Sequence, residues 1–138
     1  MSDLKIGNKK KKVKKQLKKS IKVAVVGTPF TGFEPKLEEL LLEITKKFKL
    51  KAVVTIAENK VGRFTRNLAR KNEWQTRVVS EAFKEEIGHT DGTAKDVALG
   101  ALGWAANTFI VIGSKGTSKD AIELCLRMGK PFIILEPK

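Results

Sequence analysis

From residue 22 onward, short apolar runs alternate with segments of helical periodicity, and that alternation constrains the fold more than any other feature. Residues 22–27 (KVAVVG), 52–57 (AVVTIA), 76–79, 108–112 (TFIVI) and 131–135 are rich in Val and Ile. They are continuous rather than alternating, as strands buried on both faces are. Between the first two, Pro35 suits the first turn of a helix, and Leu37, Leu40, Leu41, Ile44 and Phe48 recur on one helical face. Residues 62–71 give a second helix with Phe64 and Leu68 inward. Asp91-Gly92-Thr93 opens a third, with Val97, Ala101 and Trp104 as its buried face and Gly100 and Gly103 allowing close packing. Ser118 serves as the N-cap of a fourth, with Ile122, Cys125 and Leu126 on its face and Gly129 ending it. The expected fold class is α/β: one Rossmann-like domain with a mainly parallel sheet of about five strands and helices on both faces. Ligands of such sheets bind outside the carboxyl ends of the strands. The candidate loops are therefore those after Gly27, Ala57, Val79 and Ile112.

The charge is concentrated before that domain begins. The 138 residues carry a net charge of +13, yet residues 1–22 alone hold ten lysines against one Asp. The remainder is only mildly basic. Residues 1–20 are expected to form a flexible lysine-rich tail, and residues 21–138 the folded domain. Within the tail, Lys9, Lys10, Lys11, Lys12, Lys14, Lys15, Lys18 and Lys19 repel one another, so the thin stripe of Val13, Leu17 and Ile21 is a weak basis for a free helix. Nucleic acid is the leading partner, DNA or RNA, because each lysine placed on a phosphate releases counterions. A solubilising or targeting extension is the alternative. A membrane surface suits the tail poorly, since it lacks Trp and Phe. One cysteine cannot close an intrachain disulfide, and with no secretory apolar segment a cytoplasmic setting is expected.

Residues 113–120 (GSKGTSKD) join an apolar run to a helix. Gly113 and Gly116 permit a tight turn and close backbone approach. The helix start presents free N–H groups and its positive dipole end, which together favour a phosphate. Ser114, Thr117 and Ser118 add hydroxyls, and Lys115 and Lys119 add charge. Gly27 and Thr28, after the first strand, complete the expected phosphate or nucleotide site. An ordinary strand-to-helix turn is the competing reading.

The stretch 110–135 (IVIGSKGTSKDAIELCLRMGKPFIIL) resembles the last third of the SLOG superfamily, which includes LOG-type proteins, the DNA-processing protein A family and small YspA-like proteins. The resemblance rests on Gly113, Gly116 and Thr117, on Asp120 at the family's acidic position, and on Gly129-Lys130-Pro131 before the last strand. It is weaker upstream: Ala57-Glu58-Asn59 stands where the family places a Gly-Gly pair, and Lys95-Asp96 where it often has Arg-Asn. The resemblance implies a nucleotide or nucleic-acid ligand and a homo-oligomer, in keeping with the family's dimers. The leading expectation is a non-catalytic binding protein without cofactor. A nucleotide N-glycosidic hydrolase with Asp120 as its acid is the alternative, and a ligand-free scaffold the third. Lys60, Arg63 and Arg66 are further sources of charge, with Arg63 and Arg66 the named candidates for nucleic-acid contact. Phe30 and Phe33 either stack on a base or fold under the sheet. His89, the single histidine, reads as an inert surface residue, Trp74 and Trp104 as packing residues, and Cys125 as core. No metal-ligand spacing is present.

Overall fold

A computed structural model describes residues 18–82 and 93–137. The α/β expectation holds. Five strands, β1 (Ser20–Gly27), β2 (Lys49–Ile56), β3 (Thr76–Val79), β4 (Thr108–Ile112) and β5 (Phe132–Leu135), form one parallel sheet in the order β3-β2-β1-β4-β5. Among the described residues four helices connect them: α1 (Phe33–Lys47), α2 (Lys60–Lys71), α3 (Ala94–Ala105) and α4 (Thr117–Met128). Lys9 to Lys15, His89 and Asp91-Gly92 lie outside the described residues.

The continuous apolar strands serve two cores. In β1, Val23 and Val25 face α1 and α2 together with Leu37, Leu41 and Leu68, while Ala24 and Val26 face α3 and α4 together with Leu102, Phe109 and Cys125. Side chains alternate between the sheet's faces, so the run VAVV must be apolar throughout. Phe33 belongs to the α1–α2 core, edge-on to Phe64 at 5.5 Å, with Phe30 packed at its border. Of the two readings for these aromatics, Phe33 follows the one under the sheet. Trp74 packs against the same cluster, and Cys125 is buried in the other. Burial pushes its thiol up to about 11, so it is a neutral core group at physiological pH.

Three expectations fail: Trp104 on the inner face of α3, Leu126 on that of α4, where Ile122 and Cys125 do pack inward, and Ser118 as an N-cap. In α3 the buried side is Ala98, Leu99, Leu102 and Gly103, while Trp104 is 84% exposed. The segment AKDVALGALGWA is apolar nearly all round, so periodicity alone does not select the inner face. Gly103 decides it, because a Cβ there would lie 2.6 Å from Met128 Sδ on α4. In α4 the buried side is Ser118, Ala121, Leu124 and Cys125, and Leu126 is 68% exposed. Ser118 is not the N-cap either. Gly116 holds that position, two residues earlier than the hydroxyl suggests, and Ser118 is wholly buried for another purpose. Thr93, by contrast, caps α3 in a reciprocal box with Asp96.

The exposure of Trp104 gives a direct check. Trp104→Ala is expected to leave unfolding stability within about 0.5 kcal/mol of the parent, whereas Phe109→Ala costs about 3–5 kcal/mol in the same urea titration. A large loss from Trp104→Ala would show that α3 is turned the other way.

Candidate phosphate-binding site

The strand order reverses between β1 and β4: the chain builds outward from β1 through β2 to β3, then returns to add β4 and β5 on the other side. At such a reversal the loops leaving the two central strands run to opposite faces, and the space between their ends is the usual ligand crevice of an open α/β sheet. Here those loops are residues 28–32, leading to α1, and 113–116, leading to α4.

A seam of hydrogen bonds ties the two loops together. Thr28 N–H donates to Ile112 O at 2.8 Å and to Ser118 Oγ at 2.9 Å, while the Ser118 hydroxyl donates to Ile112 O at 2.5 Å. The Thr28 hydroxyl donates to Lys115 O at 2.9 Å. This closeness requires the glycine at position 27. Its φ is +145°, and a Cβ there would sit 2.2 Å from Ile112 O. Gly113, at φ +80°, leaves only 2.9 Å between its would-be Cβ and Thr28 O. Gly116 differs: φ is +60°, but the nearest atom to a Cβ is Thr28 Oγ1 at 3.8 Å. It shapes the tip of the turn and faces open space.

The structure thus brings together Gly27, Thr28, Gly113, Ser114, Lys115, Gly116, Thr117 and Ser118, with Thr28 and Ser118 bracing the loop from behind. Among the described residues, the N–H groups of Ser114, Lys115, Gly116 and Thr117 have no protein acceptor. Ser118 N–H turns back to Lys115 O and Asp120 N–H to Gly116 O, which closes the first turn of α4. Lys115 and Lys119 are exposed beside this turn.

A further cation joins them from α3. Lys95 Nζ lies 3.4 Å from Thr117 Oγ1 and 3.7 Å from Asp120 Oδ2. Its signal in the sequence is its place in Lys95-Asp96, where the SLOG pattern has Arg-Asn. Asp120 faces this flank, lining a cleft of about 260 Å³ with Asp96, Glu123 and Arg127 between α3 and α4.

The loop after β2 is committed elsewhere. Asn59 caps α2 by accepting from Gly62 N–H at 3.2 Å and donates to Gly27 O at 2.9 Å, bracing the end of β1. Arg66 turns its guanidinium to the end of β2, donating to Thr55 Oγ1 at 2.8 Å and more weakly to Ile56 O and Ala57 O. Arg63 is exposed on the first turn of α2. Glu58 accepts from the Ser80 hydroxyl at 2.7 Å and Glu81 N–H at 2.9 Å, and these bonds hold its carboxyl below the usual carboxylate range. Its charge is thereby held toward the loop after β3.

Lys18 and Lys19 lie at the other end of the molecule. They precede β1 at its amino end, where Lys18 Nζ donates to Thr45 O and Lys19 O accepts from Lys49 N–H. The eight residues of β1 separate them from the phosphate turn by roughly 26 Å. Among the described residues no cluster of His, Cys, Asp and Glu could hold a metal ion, and no helix is long and apolar enough to cross a membrane.

Comparison with protein-family profiles and with characterised proteins finds no match to this chain. The SLOG resemblance accordingly rests on its motif residues.

The two kinds of glycine can be separated by stability. Gly27→Ala is expected to cost about 3 kcal/mol or more in urea unfolding, since a backbone carbonyl stands in the way of the new Cβ. Gly116→Ala meets only the strain of its positive φ and should cost about 1–2 kcal/mol.

Proposed function

We propose that this chain binds the phosphate of a nucleotide or nucleic acid at the turn of residues 113–117, without catalysing a reaction, and that its lysine-rich tail adds affinity for nucleic acid. One observation carries the reading. Among the described residues the backbone N–H groups of residues 114–117, at the start of α4 beside the β1–β4 reversal, have no protein acceptor, and Lys95, Lys115 and Lys119 lie by the same turn. Anions suit such a place because the donors and the helix dipole are already oriented. The resemblance of this turn and of Gly129-Lys130-Pro131 to the SLOG pattern supports a nucleotide as the source of the phosphate.

The geometry around Asp120 favours binding over glycosidic chemistry. Its carboxylate faces Lys95 and the cleft it shares with Asp96 and Glu123, on the α3 side of α4. The bracing of the loop by Thr28 and Ser118 favours a preformed site over a spare turn, since preorganised donors need no ordering when the ligand arrives.

Titration with nucleoside monophosphates tests the turn. Gly116→Val is expected to weaken binding about tenfold or more, equivalent to about 1.4 kcal/mol, while the folded fraction persists. Unchanged affinity in that variant would remove the turn from the site, and release of free base would move the chain to the enzyme reading with Asp120 as acid. Mobility shifts across salt test the tail. Deleting residues 1–17 removes seven lysines and one Asp, leaving a net charge of +7. If about five of those lysines meet phosphates, the parent's log K falls with log salt at a slope of roughly −3.5 on single strands, and the deletion should abolish most of it. An unchanged slope would leave the tail a solubilising extension.

A further inference from the structure

β5 is an outer strand of the sheet, and its bonds to β4 determine which of its backbone groups point away. Phe109 N–H donates to Pro131 O at 3.0 Å and Gly113 N–H to Leu135 O at 2.7 Å, with Phe109 beside Phe132 and Ile112 beside Leu135. In a strand, successive residues direct their N–H and C=O to opposite sides. Pro131, Ile133 and Leu135 therefore face β4, and Phe132 and Ile134 turn both groups outward. Among the described residues no strand pairs with that outer side.

Natural edges are usually blunted by a charge, a proline or a bulge within the strand. Phe132–Leu135 has none of these: it is FIIL, with Ile133 44% exposed on one face and Ile134 37% exposed on the other. α4 adds to the apolar character of this side. Leu124 and Met128 pack on Gly103 of α3, so Leu126, two residues beyond Leu124, lies on the flank away from α3. In a sheet ordered β1-β4-β5 that flank is the β5 side, and there Leu126 is 68% exposed.

We propose that β5 pairs antiparallel with β5 of a second copy, joining the two sheets edge to edge about a two-fold axis at Ile133. The outward groups select the register. Phe132 must stand opposite Ile134 of the second copy, and Ile134 opposite its Phe132, each pair exchanging both N–H···O bonds. Ile133 then meets its own counterpart on the axis. The same register places Lys130 opposite Glu136 of the second copy at both ends of the ribbon, so opposite charges meet. Lys130 Nζ already donates to Ala106 O at 2.9 Å and retains further donors for that carboxylate. Because the surface is its own complement, the pairing closes as a dimer.

Light scattering after size exclusion, on the full chain over a range of concentrations, is expected to give the mass of two chains. Ile134→Pro removes an outward N–H and no bond to β4, so it should shift the mass to one chain while the circular dichroism is retained. Lys130→Glu and Glu136→Lys each set like charges opposite one another and should each weaken the dimer about fivefold, equivalent to about 1 kcal/mol. The double exchange should restore it, and that rescue decides the matter should Ile134→Pro fail to fold. A parent that stays monomeric at every concentration overturns the proposal. So does a dimer indifferent to the charge exchange, or one broken by Trp104→Lys instead.

Discussion

The approach of β1 to β4 at their carboxyl ends is the constraint on which the site depends. Gly27 and Ile112 pass so closely that no side chain fits at position 27, and the buried Ser118 hydroxyl bonds to both loops at once. A hydroxyl wholly removed from water must find partners, and here it donates to Ile112 O and accepts from Thr28 N–H. The first turn of α4 is held in place by that exchange. The turn of residues 114–117 is therefore positioned by the sheet, and Ser114, Lys115 and Gly116 are exposed at its tip.

The architecture was legible because it follows from simple periodicities. A strand such as VAVV has no polar side, and only a sheet covered on both faces accepts it. Helix-length segments between such strands then require parallel crossovers. The glycine turn was legible for a similar reason, since Gly113 and Gly116 stand between an apolar run and a helix. The inner face of α3 was not. Val97, Ala101 and Trp104 make as good an apolar stripe as Ala98, Leu99 and Leu102, and the choice is made by Met128, thirty residues from Ala98 in the chain. The role of Ser118 was equally hidden. A serine near a helix start suggests a cap, and only the proximity of Thr28, ninety residues away, gives its hydroxyl a different partner.

The loop after β2 illustrates how a departure from a motif can be absorbed. Where the SLOG pattern has two glycines, this chain has Glu58 and Asn59, and a carboxylate near a phosphate would be unfavourable. The fold deals with each separately. Asn59 caps α2 and supports Gly27 O, while Ser80 and the backbone of Glu81 hold Glu58 toward β3. Arg66 satisfies the end of β2, a task that takes its guanidinium out of the list of free cations. The positive charge at the proposed phosphate turn comes instead from the α3–α4 side, through Lys95, Lys115 and Lys119.

This distribution separates two kinds of basic group that composition lumps together. The lysines near the turn sit at the carboxyl ends of the strands, whereas the tail joins the domain at the amino end of β1, the length of the sheet away. A mononucleotide at the turn is too small to span roughly 26 Å and would engage the first set alone. A nucleic acid could engage both, and the second contact would then be intramolecular. Under the proposed function, fixed geometry would select a phosphate at the turn and charge alone would draw one to the tail, so salt would weaken the second contact much more than the first.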